Sequence, residues 1–272
     1  MTGILHPFDR IGMLLMLQIE PIQAFSDNYI WLLYDESQDG AWVVDPGDAQ
    51  PVIDTLASKG LTLAGVIITH HHFDHVGGLE ILCDRFDCQV YGPQNPDIGA
   101  ITDRLCAGDT AEILGRSFDV IEVPGHTLDH IAYFHGGDNP VLLAGDTLFA
   151  GGCGRVFEGT APMMHGSLQA LATLPAATQV YCAHEYTLAN LAFATAVEPD
   201  NTALAERVAA AEATRARDEP TVPSSIALEL ATNPFLRCNT PDLKAALQAQ
   251  GRLQGETGDE VFATVRGWKD NF

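Results

Sequence analysis

The densest group of metal-binding side chains in this sequence is the heptapeptide THHHFDH, which closes the first quarter of the chain. On an extended backbone, residues two positions apart point to the same side, so His70 and His72 can bind one ion while His71 points elsewhere. The chain must then turn, and Asp74 and His75 can face a second ion. The spacing therefore predicts a metal centre rather than an isolated histidine.

Three further candidate ligands stand at or just after the ends of predicted strands: His126 in VPGHT, Asp146 in LLAGDT and His184 in YCAHEY. A lone histidine in such a place is more often a hydrogen-bonded residue than a ligand. That alternative does not explain the ordered recurrence of His, Asp and His. Seven nitrogen and oxygen ligands are too many for one tetrahedral ion and suit two ions that share a carboxylate. The predicted ligands are His70, His72, Asp74, His75, His126, Asp146 and His184.

The metal pair predicts hydrolytic chemistry. Two divalent ions that share a water lower its pKa, and the resulting hydroxide can attack an acyl carbon. Zinc is the expected metal, although iron and manganese accept the same ligands. Asp74 and Asp146 are the carboxylates assigned to this catalytic centre. Asp45, in the turn DPGD, is either a carboxylate that orients the ligand loops or a plain turn residue.

The elements that must position these ligands alternate between short apolar runs and helical stretches. Residues 65–69 form a continuous apolar run typical of a strand buried on both faces, and the heptapeptide begins where this run ends. A helix is predicted after Asp48 as its N-cap, with Gly60 just past its end. Strand ends are where α/β proteins usually build their sites. Further predicted strands are residues 30–33, 41–44, 118–123, 131–134, 141–144 and 179–182.

The composition changes after His184, where the chain becomes rich in Ala, Leu, Glu and Arg and is interrupted by prolines. This pattern predicts three or four helices and few further strands. We therefore predict an α/β catalytic domain over residues 1–184 and a small all-helical substrate-binding domain over residues 185–272. Residues 1–15 are predicted to be an N-terminal extension ahead of a first β-strand.

The charge of the chain argues against several classes of partner. Its 36 Asp and Glu residues outnumber its 14 Lys and Arg residues, and the formal net charge is −22. This balance is unfavourable for nucleic acid and for anionic membrane surfaces. The apolar run at residues 11–19 is too short to span a bilayer. Six cysteines without a CxxC pair favour reduced thiols in a cytoplasm, and a monomer is expected.

The chain resembles the metallo-β-lactamase superfamily, whose H-x-H-x-D-H signature THHHFDH matches. More narrowly, it resembles the glyoxalase II family, the hydroxyacylglutathione hydrolases, through DNYIWLL, VVDPGD, GDTLFAGGCGR, HEYTLAN, TNPFLR and the terminal VRGWKDNF. The matching segments run from about residue 19 to residue 272. The resemblance implies an αββα sandwich with the site at the edge of the two sheets, followed by the helical domain.

The resemblance also implies a division of the ligands and a reaction. The first ion would take His70, His72 and His126, the second Asp74, His75 and His184, and Asp146 would bridge them. The implied reaction is hydrolysis of S-D-lactoylglutathione to D-lactate and glutathione by attack of the bridging hydroxide. A thiolate leaves without a strong acid, because the pKa of its thiol is ~8.5.

Glutathione carries two carboxylates, so an acidic protein needs local cations to bind it. The glutathione-binding residues of the family correspond to Arg155, Phe157, Tyr186, Arg266 and Lys269. Many members of the family have Tyr where Phe157 stands, and the usual Gly of GHTxGH is Asp129 here. A favourable charge at a helix end is an alternative role for Arg266 and Lys269, and Tyr186 could equally be a core aromatic residue.

The main alternative function is a mononuclear iron persulfide dioxygenase that acts on glutathione persulfide. The helical C-terminal domain and its cationic end favour the hydrolase. The remaining histidines, among them His71 and His165, are expected to be solvated, and His130 is expected to be a local structural partner.

Overall fold

Two six-stranded sheets form the centre of the protein, which the computed structural model describes over residues 17–272. In order across the first sheet lie β1 (Gln18–Ala24), β2 (Asn28–Tyr34), β3 (Gly40–Val44), β4 (Thr62–Ile67), β5 (Gln89–Pro93) and β6 (Asp103–Leu105). In order across the second lie β14 (Ser224–Ser225), β13 (Gln179–Cys182), β10 (Val141–Gly145), β9 (Ile131–His135), β8 (Arg116–Glu122) and β7 (Thr110–Ile113). A separate hairpin consists of β11 (Leu148–Phe149) and β12 (Gly152–Cys153).

Helices cover the outer faces of both sheets. In the first half of the chain these are α1 (Ala49–Lys59), α2 (Phe73–Val76) and α3 (Leu79–Arg85). The later helices are α4 (Ala161–Ala172), α5 (Thr187–Val197), α6 (Thr202–Arg215), α7 (Ile226–Thr232), α8 (Pro241–Ala249) and α9 (Gly258–Lys269). As predicted, Asp48 caps α1 and Gly60 ends it in the left-handed conformation, with φ of 67°.

Three apolar cores show that the layers are helix, sheet, sheet and helix. The central core lies between the sheets and includes Trp31 from β2 and Tyr133 from β9. A second core packs α1 and α3 on the first sheet, as the burial of Leu56 indicates. A third packs α4 and the C-terminal helices on the second sheet, around Leu168 and Phe262. This layering confirms the predicted α/β class and sandwich, with helices following it.

The prediction of three or four helices after residue 185 was too low, because five form there. Pro199 also ends a helix, α5, and the sequence count omitted it. The short strand β14 pairs antiparallel with β13 through Val180 and Ser224, so the C-terminal region adds an edge to the second sheet. The division at residues 184 and 185 stays a prediction.

The sequence identified most of the strands that carry apolar runs. It missed β5, β6 and β7 and the two-residue strands β11, β12 and β14. The proposed extension at residues 1–15 lies outside the described residues, and β1 begins at Gln18. No helix within residues 17–272 combines the length and the apolar character that crossing a membrane requires.

A buried ion pair ties the C-terminal helices to the β11–β12 hairpin. Arg207 on α6 pairs with Glu229 on α7, whose side chain is fully buried. The second carboxylate oxygen of Glu229 accepts the backbone N–H of Gly151 at 2.9 Å. The side-chain amide of Asn233 donates to the Gly152 carbonyl at 2.8 Å. The helical region therefore fixes the backbone of a hairpin that belongs to the sandwich.

Removing the cation from this pair should destabilise the protein. In Arg207→Met, Glu229 stays buried without its partner, and breaking such a pair costs about 3–5 kcal/mol in free energy of unfolding. Chemical denaturation measures this quantity. Arg217→Met is the matched control, because the Arg217–Glu219 pair is exposed, and it should unfold as the parent does. Equal losses in both variants would contradict the structural role of the buried pair.

Candidate metal centre

All seven predicted ligands converge at one edge of the two sheets, where strands end. The loop after β4 carries His70 and His72, and the one-turn helix α2 carries Asp74 and His75. The remaining three follow β8, β10 and β13 and are His126, Asp146 and His184. Because β10 and β13 are parallel neighbours, the residues that follow them meet at the same edge.

The first triad consists of three histidines. His72 Nδ1 lies 3.2 Å from His70 Nε2 and 3.0 Å from His126 Nε2. The second triad consists of a carboxylate and two histidines. Asp74 Oδ2 lies 3.4 Å from both His75 Nε2 and His184 Nε2. Within each triad the candidate ligand atoms all lie within 4.8 Å of one another.

Asp146 stands between the two triads. Its Oδ2 lies 3.4 Å from His126 Nε2 in the first triad. Its Oδ1 lies 3.6 Å from His75 Nε2 and 3.4 Å from His184 Nε2 in the second. Both His75 Nε2 and Asp146 Oδ1 are buried without a hydrogen-bond partner. Orphaned buried ligand atoms of this kind fit a site built to hold cations.

Outer contacts fix the orientation of four of the ligand histidines. Each has an Nδ1 within hydrogen-bond distance of an oxygen outside the two triads, which leaves its Nε2 to face the centre. The pairs are His70 with Thr69 Oγ1 at 3.0 Å, His75 with Asp45 Oδ2 at 3.0 Å, His126 with the Arg155 carbonyl at 2.8 Å and His184 with Asp27 Oδ1 at 2.8 Å.

Asp45 is linked to a histidine in each triad. Its Oδ2 accepts the Thr69 hydroxyl at 2.7 Å, and that hydroxyl in turn accepts from His70 Nδ1. The same oxygen accepts from His75 Nδ1, and Oδ1 accepts the Thr69 backbone N–H at 2.8 Å. Asp45 is buried and has a φ of 52°, which Asp and Asn tolerate better than most residues. The carboxylate therefore does more than form a turn.

The two triads differ in their electrostatics. Burial holds the pKa of His70 well below its usual range, so its ring is neutral. Burial alone would also lower the pKa of His184, but the nearby carboxylates of Asp146 and Asp74 raise it to about 10. The second triad therefore favours a positive charge. Without a metal this charge is a proton on the histidine, and a bound metal ion would displace that proton.

His130 is the local structural partner that the sequence predicted. Its Nε2 accepts the backbone N–H of Asp146 at 3.0 Å. Burial lowers the pKa of His130 to about 3, which keeps that nitrogen unprotonated and able to accept. The ring stacks on His70, with the centroids 4.6 Å apart.

Three of the predicted glutathione-binding residues lie at the rim of the centre. The ring of Phe157 is 60% exposed and lies edge-on to His72 and His126, with centroids 5.7 and 5.3 Å apart. The Arg155 guanidinium lies 5.9 Å from the Phe157 ring. Tyr186 is partly exposed and stacks on His184 at 4.7 Å, so it is not an ordinary core aromatic residue.

The two cations at the end of α9 differ from each other. Arg266 is buried and donates to the Cys153 carbonyl at 3.2 Å and to Asp270 at 2.8 Å. Lys269 Nζ donates to the Ala189 carbonyl at 3.1 Å, in the first turn of α5. Arg266 therefore already has partners within the chain, and its contact with glutathione stays a prediction.

Among the histidines expected to be solvated, the prediction for His165 was wrong. His165 on α4 is buried, and its Nδ1 lies 2.6 Å from Asp259 Oδ1 on α9. Its partner is 94 residues away in the sequence, so no local sequence pattern predicts the pair. His71 turns away from both triads, as expected, but meets Asp129 instead of water alone. The outer contact from Asp27 to His184 was likewise missed, since 157 residues separate the two.

Two family models match the chain. The model described as the metallo-beta-lactamase superfamily matches residues 25–184, and the one described as hydroxyacylglutathione hydrolase C-terminus matches residues 185–272. A curated relative from Pseudomonas aeruginosa (strain LESB58), named hydroxyacylglutathione hydrolase, is 52% identical over 258 residues. The match covers 94% of this chain and 100% of the relative.

Solved structures share the fold. The crystal structure of ETHE1 from Myxococcus xanthus has a TM-score of 0.62 and 25% identity, over 93% of this chain and 98% of that one. The crystal structure of TTHA1623 in a di-iron-bound form has a TM-score of 0.50 and 26% identity, over 61% of this chain and 91% of that one.

Asp45→Asn should weaken metal binding without unfolding the protein. Asn tolerates the positive φ, but it lacks the charge that holds His75 and, through Thr69, His70. Loss of such an outer partner typically costs about 10–100-fold in metal affinity, which competition with a chelator measures. Asp48→Asn is the control three residues away, because Asn caps a helix as well as Asp does. Equal affinities in Asp45→Asn and in the parent would remove Asp45 from the metal centre.

Proposed function

The chain belongs to the hydroxyacylglutathione hydrolases (glyoxalase II) of the metallo-beta-lactamase superfamily, and we propose that it hydrolyses S-D-lactoylglutathione to D-lactate and glutathione. It is thus an enzyme that cleaves a thioester. The observation that carries the proposed reaction is Asp146, whose two oxygens face two complete triads. One carboxylate in this place suits a centre that holds two cations at once.

The residues that would hold the metals fit them. His70, His72 and His126 would hold the first ion, and Asp74, His75 and His184 the second, with Asp146 shared. When bound, the two divalent ions supply an activated water and polarise the acyl carbonyl. Zinc is the metal we propose, and iron and manganese suit the same ligands.

The chain's own residues place the substrate. The thioester would lie beside the Phe157 ring, which contacts His72 and His126, and the tripeptide can extend from there toward Arg155, whose side chain is 55% exposed. Lys269 and Tyr186 both lie near the start of α5. The leaving thiolate needs no strong acid, because the pKa of its thiol is ~8.5.

A protein with a net charge of −22 repels the carboxylates of glutathione, so cations near the site must offset that repulsion. Arg155 Nε lies 3.5 Å from Asp270 Oδ1, so it is only loosely paired and remains available to a substrate carboxylate. Burial lowers the pKa of Lys269, and a substrate carboxylate beside the amine would favour its charged form.

We also propose that residues 185–272 supply substrate binding, that the protein acts in the cytoplasm and that it is a monomer. The six free thiols favour a reducing compartment.

The proposed reaction is tested by metal content together with turnover. The parent protein should bind two metals per chain and hydrolyse S-D-lactoylglutathione, followed as loss of thioester absorbance. Asp146→Ala should lose both metal and activity, because it removes the one group common to the two triads. Asp119→Ala, an exposed carboxylate on β8, is the control. One iron per chain with oxygen uptake would support the persulfide dioxygenase instead.

Lys269→Ala should raise KM for lactoylglutathione much more than it lowers kcat, because its proposed contact is with the glutathione part of the substrate and not with the reacting carbonyl. A charge-assisted contact is typically worth ~1.5–3 kcal/mol, so an effect of about tenfold or more is expected. The effect should shrink with salt, because salt screens partly exposed charges. Lys244→Ala on α8 is the control. If Lys269→Ala raised KM equally for a thioester that lacks the glutathione part, Lys269 would not bind glutathione and would only stabilise the end of its helix.

A further inference from the structure

His71 lies between two ligands of the first triad, but its ring faces two carboxylates from other loops. Its Nδ1 lies 2.9 Å from Asp129 Oδ1, and its Nε2 lies 3.3 Å from Glu158 Oε1. The two carboxylates therefore meet opposite sides of one ring. We call these three residues the clasp.

The clasp joins segments from both halves of the sandwich. Asp129 Oδ2 accepts the side-chain amide of Asn95 at 2.7 Å, and Asn95 follows β5 in the first sheet. Glu158 Oε2 accepts the backbone N–H of Leu128 at 2.8 Å. All four carboxylate oxygens of the clasp therefore have partners within the chain, so the group is closed by its own contacts.

Two large apolar side chains stand beside the clasp and the first triad. Leu128 is 58% exposed and precedes Asp129 in the chain, and the equally exposed Phe157 precedes Glu158. The backbone N–H groups of Phe157 and Glu158 both donate to the His126 carbonyl at 3.3 Å. We call Leu128 and Phe157 the lip. Both side chains are apolar and exposed to water, which is unfavourable. A ligand that covers them would therefore gain binding free energy from the apolar surface it buries.

We infer that His71, Asp129 and Glu158 are positioning residues that hold the lip beside the first triad, where it contacts the bound glutathione thioester. This inference rests on the proposed hydrolase function. A lip held in place before binding lowers the entropy cost of forming the complex. Loosening the clasp should therefore weaken substrate binding and leave the chemical step nearly unchanged.

The first test uses Asp129→Ala, with the isosteric Asp129→Asn as the variant safest for folding. For S-D-lactoylglutathione we expect KM to rise about three- to tenfold and kcat to stay within about twofold. Two metals per chain should remain bound, since His126 keeps its contact with the Arg155 carbonyl. Asp138→Ala, at the opposite end of β9 and exposed, is the matched control and should match the parent.

A double-mutant cycle separates positioning from general destabilisation. In a Phe157→Ala background the lip has lost its larger member, so adding Asp129→Ala should raise KM by clearly less than it does in the parent. Hydrogen exchange gives a readout independent of activity. The Leu128 amide, which donates to Glu158, should exchange faster in Asp129→Ala and in Glu158→Gln, with or without metal.

Three outcomes would overturn the inference. A lower melting temperature with unchanged KM would make the clasp purely structural. Loss of a metal would mean that the clasp holds a ligand loop rather than the lip. Fully additive effects of Asp129→Ala and Phe157→Ala would mean that the two act separately. A parent protein that does not hydrolyse the thioester would instead overturn the proposed function, and that result is visible before any variant is made.

Discussion

The metal centre depends on a buried carboxylate outside the two triads that orients one histidine in each. Asp45 accepts from His75 directly and from His70 through the Thr69 hydroxyl, so a single residue orients a ring on each side of Asp146. A buried carboxylate is costly unless its oxygens are hydrogen-bonded, and here both are. The arrangement links the two rings and leaves their Nε2 atoms to face the centre.

The sandwich makes this convergence possible because the ligand-bearing strands end at one edge. The first sheet supplies the loop after β4, and the second supplies the loops after β8, β10 and β13. Interactions outside the triads then fix each loop: Asp27 holds His184, and the Arg155 carbonyl holds His126. The C-terminal helices take part through Glu229, which binds the hairpin between Asp146 and Arg155. Ligand geometry is thus a property of the whole chain rather than of the heptapeptide.

The sequence predicted the fold class, the family and the residues that come together, because strand-end ligands and their spacing are local signals. It could not predict partners separated by many residues. Asp27 meets His184, and Asp259 meets His165, only after distant elements pack together. Arg266 illustrates the same limit, since the sequence predicted glutathione binding or a helix-end charge and did not predict that α9 buries it against Cys153. Periodicity likewise found the apolar strands and missed the short, partly exposed ones.

The pairing of β14 with β13 has a consequence for synthesis on the ribosome. The chain emerges from its N-terminus, so β13 is made before the segment that covers its open edge. Until Ser224 emerges, that edge presents unpaired backbone groups to other nascent chains, which is a known hazard for aggregation. The Gly151 N–H likewise has no Glu229 carboxylate to donate to until α7 has been made. The order of translation therefore delays completion of the catalytic sandwich until much of its helical neighbour has been made.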